Sequence, residues 1–138
     1  MRRSAPRALR VRRLGCLLIG HGSRVAGANR VLLRVARRLA RQVPGWAVEA
    51  CFLEAARPGV QDGVERLVAR GARRILFVPY FLYLGGHVGR DLPREMARAR
   101  RRHRGLACAA APHLGFDARL VAVVADRLRR GTSRAGWD

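Results

Sequence analysis

The sequence predicts a three-layer α/β domain built on a four-stranded parallel sheet in the order 2-1-3-4. Short apolar runs, too brief for helices, alternate along the chain with stretches whose apolar residues recur at helical spacing. Glycines and prolines fall at the joints between them. The 138 residues, 49% of them hydrophobic, suffice for one sizeable core and are too few for two.

The elements follow in order. LGCLLIG at 14–20 is a short apolar run bounded by glycine, as suits a strand buried on both faces. The polar loop HGSRVAGAN leads to a helix from Asn29, with Arg30, Arg34, Arg37, Arg38 and Arg41 on one side and Val31, Val35, Leu39 and Val43 on the other, stopped by Pro44-Gly45. VEACFLE (48–54) reads as strand, 58–72 as a helix closing on Gly71, and RRILFVPYFL (73–82) as strand. After the loop YLGGHVGRD, Asp91 is expected to cap a helix with Pro93 in its first turn. LACAAAP (106–112) is the fourth strand, and Asp117 caps a last helix over 118–130. Residues 1–13 read as a basic, disordered extension, 14–130 as the domain, and 131–138 as a disordered tail. Parallel strands joined by right-handed crossovers put helices on both faces. In the order 2-1-3-4 a crevice opens between the carboxyl ends of strands 1 and 3.

Charge is the compositional anomaly. All 29 basic residues are Arg against 9 acids, a net charge of +20, and the first acid is Glu49. An anionic partner is one reading, and the Arg bias of a GC-rich genome is the other. Zinc-finger, RNA-recognition and basic-zipper patterns are lacking, so no nucleic-acid partner is expected. Cys16, Cys51 and Cys108 have no paired spacing and read as reduced core thiols. With no run of membrane-spanning length and no secretory pattern, the expectation is a cytoplasmic protein without a membrane partner.

Two of the four histidines fall at the expected crevice. His21 follows strand 1, and His87 lies in the Gly-rich loop after strand 3, so the topology sets them face to face. A facing imidazole pair can hold a first-row divalent metal loosely or take up protons. Gly20, Gly22, Gly85 and Gly86 around them permit close approach of something flat or bulky. His113, after strand 4, falls further along the rim, and His103 belongs to a solvated basic helix end.

The HGS after strand 1, the stretch FLEAARPGVQDGVERLVARGARRI and above all VPYFLYLGGHVGRDLP resemble the small, single-domain sirohydrochlorin chelatases, the class II chelatases, from about Leu14 to Leu128. The resemblance implies a flavodoxin-like half-unit that pairs into a homodimer. It implies an enzyme that inserts a divalent metal into sirohydrochlorin without ATP: Co²⁺ in cobalamin biosynthesis, with Fe²⁺ or Ni²⁺ as alternatives. The metal is then a substrate and no cofactor stays bound. His21 and His87 match the family's metal-handling, catalytic histidines. Ser23, Arg24, Glu54, Gly85, Gly86 and Arg90 become candidate contacts to the polycarboxylate macrocycle, with Glu54 equally readable as a solvated rim carboxylate. His113 departs from the family's Pro-Leu-Gly turn. Two rivals remain in view. A histidine phosphatase would set an Arg before the His, where this chain has Gly20. A basic nucleic-acid-binding module would need neither histidine.

Overall fold

The computed structural model describes residues 13–137, with His87 through its backbone only; the expected N-terminal extension lies outside the described residues except for Arg13. The elements are β1 (Leu14–Gly20), α1 (Ala26–Gln42), β2 (Trp46–Phe52), α2 (Val60–Ala69), β3 (Arg74–Pro79), α3 (Gly86–Arg102), β4 (Ala107–Ala110) and α4 (Ala118–Ala135). The sheet is four-stranded and parallel in the order β2-β1-β3-β4, as the sequence led us to expect.

Alternation along β1 divides the core into two layers. Leu17 and Ile19 join Ile75, Phe77, Val64, Leu67 and other buried residues beneath α2 and α3. Leu18 turns the other way, toward Leu32 and Ala36 of α1 and Ala50 and Phe52 of β2. The buried stripe of α1 is thus Leu32 and Ala36, offset by one position from the expected valines, and Val31 is exposed. Its arginines all face solvent. Cys16 and Cys51 are buried and Cys108 half-buried, all three as free thiols. Burial pushes the Cys16 thiol up to about 11 and that of Cys51 higher still, so both stay protonated and unreactive at neutral pH.

Several boundaries differ from the sequence reading. Helix α1 begins three residues before Asn29, because the Asn29 side chain reaches back to Ser23. Its Oδ1 accepts the Ser23 N–H at 2.9 Å, and its Nδ2 donates to the Ser23 carbonyl at 2.7 Å. Helix α3 begins at Gly86, so Asp91 is not its cap: Gly85 is the N-cap, and Asp91 sits half-buried inside the helix. Pro93 likewise lies in the helix interior rather than its first turn. Val88 and Leu92, four residues apart and both buried, hold this early turn on the core, so tertiary packing overrides the low helix propensity of Gly86 and Gly89. β3 stops at Pro79, leaving 80–82 outside the strand. His103 is not fully solvated; its Nε2 is buried and unpaired. Helix α4 continues to Ala135 and closes on Gly136 in the left-handed conformation, so 131–135 are helical rather than a disordered tail. Its start is as expected: Asp117 accepts the Arg119 N–H at 2.8 Å.

Helix α2 approaches the sheet through Gly63. A Cβ there would lie 2.5 Å from Leu17 Cδ1 and 3.2 Å from Cys51 Cβ. Leu17 is fully buried and cannot yield. Gly63→Ala is therefore expected to destabilise the domain by about 1–3 kcal/mol despite the better helix propensity of alanine, read from the midpoint of urea unfolding. A stabilised variant would contradict this packing.

Candidate functional site at the carboxyl rim of the sheet

The site is built where the parallel strands end. Hydrogen bonding continues past the strands: Tyr80 N–H donates to Ile19 O at 2.8 Å, Leu53 N–H to Gly20 O at 3.0 Å, and Glu54 N–H to His21 O at 3.1 Å. The backbone of His21 is thus held by its own carbonyl, one residue beyond β1, while its side chain is exposed. Gly22 has φ +93°, and a Cβ on it would fall 1.8 Å from the Glu54 carbonyl oxygen. Only glycine allows the β1 and β2 loops to lie this close.

Phe81, buried just beyond β3, meets the His21 ring edge-to-face, with centroids 4.9 Å apart and planes at 81°. The Phe81 carbonyl accepts the Leu114 N–H at 3.0 Å and the Gly115 N–H at 3.4 Å. One residue therefore links the β3 loop to the His21 ring and to the loop after β4. That last loop carries His113, whose ring lies against Gly115.

The other expected site residues divide into those free to meet a ligand and those already engaged. The Ser23 hydroxyl accepts the Val25 N–H at 3.0 Å, which commits it to shaping the first loop. Arg24 and Glu54 are exposed on the β1 and β2 loops. Arg90 is exposed on the second turn of α3, its Nε donating to the Gly86 carbonyl at 3.1 Å. His87 is the second residue of α3, rather than part of a loop, so it is carried at the positive end of a helix. Gly85 and Gly86 have ordinary negative-φ backbone, and an added Cβ would meet nothing within 4 Å at Gly85 and only the Arg90 guanidinium, at 4.0 Å, at Gly86. The protein itself gives no steric reason for these two glycines, and their smallness leaves open space above the start of α3.

The sequence reading missed the apolar part of the rim. Tyr80, Leu82, Tyr83 and Leu84 follow β3 and are exposed, Tyr83 to 80%. The available signal was the length of the run from Ile75 to Leu84, too long for one strand of this sheet. These exposed apolar side chains flank Phe81 in the chain, and Phe81 carries the exposed His21 imidazole on its ring. Such a surface suits a ligand with a flat apolar face. Among the described residues, no three His, Cys, Asp or Glu side chains gather into a group that would hold a metal permanently.

Phe81→Leu keeps the core filled but removes the ring contact, worth about 0.5–1.5 kcal/mol. The expected result is loss of the ring-current shift on the His21 imidazole protons and averaging of its rotamers, seen by NMR. Unchanged His21 signals would show that Phe81 does not position the imidazole.

Comparison with known proteins accords with this geometry. The chain is 29% identical over 123 residues to the sirohydrochlorin cobaltochelatase of Sulfolobus acidocaldarius, covering 89% of this chain and 96% of that one. It is 29% identical over 124 residues to the chloroplastic sirohydrochlorin ferrochelatase of Arabidopsis thaliana, covering 90% of this chain and 55% of the other. The fold superposes with a TM-score of 0.79 on the sirohydrochlorin chelatase SirB of Bacillus subtilis subspecies spizizenii in complex with cobalt, at 30% identity, over 86% of this chain and 50% of that one. The chain thus spans nearly all of the archaeal relative and about half of the other two. Residues 15–131 match the CbiX family, and with this fold the chain belongs to the CbiX family of sirohydrochlorin chelatases.

Proposed function

We propose that this protein inserts a divalent metal, Co²⁺ foremost with Fe²⁺ or Ni²⁺ as alternatives, into sirohydrochlorin without ATP, serving cobalamin or siroheme biosynthesis in the cytoplasm as a homodimer. The observation that carries this reading is the exposed His21 imidazole, packed edge-to-face on the Phe81 ring, on a backbone whose carbonyl accepts the Glu54 N–H. Relatives named as cobalto- and ferrochelatases support the substrate class and leave the metal a matter of supply as much as of ligand preference.

Insertion requires that two pyrrole N–H protons leave and that a hydrated cation shed water on one face of the ring. A neutral imidazole serves both steps, as a transient metal ligand and as a proton acceptor. His21 supplies one imidazole from the β1 end, and His87 the second from the start of α3. Tyr80, Leu82, Tyr83 and Leu84 would meet the macrocycle face, with Gly85 and Gly86 making room. Arg24 and Arg90 would pair with its carboxylates, and Glu54 would take part in proton transfer or hold a metal-bound water. Ser23 acts by shaping the His21 loop. Nothing in this reading needs a bound cofactor, a nucleic acid or a membrane.

His21→Ala or His87→Ala is expected to lower metal insertion by about 10²-fold or more, followed through the tetrapyrrole absorbance with cobalt, ferrous iron and nickel. Unchanged rates in both variants would overturn the assignment. The net charge of +20 adds a second expectation. A strongly positive protein repels a divalent cation until a polycarboxylate macrocycle neutralises the rim. Calorimetry should therefore show weak cobalt binding to the protein alone, and tight binding without the macrocycle would reverse the proposed order.

A further inference from the structure

His21 and Arg24 are exposed on the loop after β1, yet the backbone beneath them is held from two sides. On the β2 side the Glu54 N–H donates to the His21 carbonyl at 3.1 Å. On the α1 side the Asn29 carboxamide meets Ser23 edge to edge: its Oδ1 accepts the Ser23 N–H at 2.9 Å, and its Nδ2 donates to the Ser23 carbonyl at 2.7 Å. One side chain therefore fixes the peptide planes on both sides of Ser23. The first plane joins Gly22 to Ser23 and the second joins Ser23 to Arg24, so the path out of His21 and the start of Arg24 are set together.

The clamp is as firm as the helix that carries it. Leu32 lies three residues on from Asn29, on the same side of α1, and is 5% exposed. Its Cδ2 packs on Gly20, where an added Cβ would stand 2.8 Å away. Helix α1 thus touches the chain just before His21 through Leu32 and just after it through Asn29. The Asn29 bonds go to the loop rather than to the free N–H groups of the helix's own first turn, whose N-cap Val25 makes no side-chain bond. The pairing also requires an amide. A carboxamide offers an acceptor and a donor side by side, matching the N–H and C=O of one residue. A carboxylate would keep the first bond and set its lone pairs against the Ser23 carbonyl.

We propose that Asn29 is a positioning residue for metal insertion: through the two peptides of Ser23 it fixes the loop that presents His21 against the Phe81 ring and Arg24 to the ligand. This rests on the chelatase reading above and adds to it the residue that holds the first histidine's loop in place. Asn29 acts through the backbone, not by contact with the metal or the macrocycle. Its effect on rate is geometric, since an imidazole takes a metal or a proton along one line and loses efficiency when its loop is free to swing.

The test uses the full chain with Asn29→Asp, and Asn29→Ala beside it. The first turn of α1 contains no acid, and an aspartate there favours the helix dipole. A role confined to the fold therefore predicts that Asn29→Asp is as stable and as active as the unsubstituted chain. Positioning predicts a different outcome. Asn29→Asp stays folded by circular dichroism, with a urea midpoint close to that of the unsubstituted chain. Its His21 imidazole signals nevertheless lose the Phe81 ring-current shift in NMR spectra, and kcat for metal insertion falls about tenfold or more. Unchanged His21 signals and an unchanged rate in Asn29→Asp overturn the proposal, as does a loss of rate in Asn29→Ala that only tracks its loss of folded protein. An unsubstituted chain that inserts no metal overturns the chelatase reading and the link to rate, whereas unshifted His21 signals in Asn29→Asp overturn the clamp itself.

Discussion

The parallel ladder that runs on past the ends of β1 and β2 is the constraint on which the rim depends. Loops after parallel strands commonly carry function because the sheet fixes only their starting points. Here the pairing extends through the carbonyls of Gly20 and His21, so the first residues beyond the strands are as firmly placed as those within them. The cost falls on Gly22, which must take a left-handed conformation against the Glu54 carbonyl, and on Ala55, at φ +61°, where the β2 loop turns away. His21 thereby becomes a side chain on a rigid wall.

How much of this the sequence makes legible depends on whether the information is local. The four strands and their order are legible because runs such as LGCLLIG leave no alternative to a doubly covered strand, and crossover handedness limits the rest. The placement of His21 follows directly. The start of α3 is not legible, since GHVGRD has poor helix propensity and becomes helical only because Val88 and Leu92 reach a core built by distant residues. The rim ledge at 80–84 was hidden for a related reason: hydrophobic residues continue after Pro79, and hydrophobicity alone does not mark where pairing stops. The periodicity of α4 announces an apolar side, and Val121, Val124 and Leu128 on it are exposed in the fold.

The Arg excess takes a plainer place in the folded chain. The α1 arginines face solvent, and the ion pairs that do form, such as Arg70 with Glu49 at 3.0 Å and Arg102 with Glu65 at 2.8 Å, are exposed and worth little each. Most of the charge therefore acts as a field around the domain.

The glycines at the start of α3 have a mechanical consequence. A first turn containing Gly86 and Gly89, with no side-chain cap at Gly85, has little intrinsic reason to stay helical and is pinned from one side by Val88 and Leu92. Such a segment opens at low free-energy cost while the remainder of the helix stays closed. His21 and His87 are thus carried on supports of different make, the one on a hydrogen-bonded strand end and the other on a helical turn held by tertiary packing rather than by its own propensity.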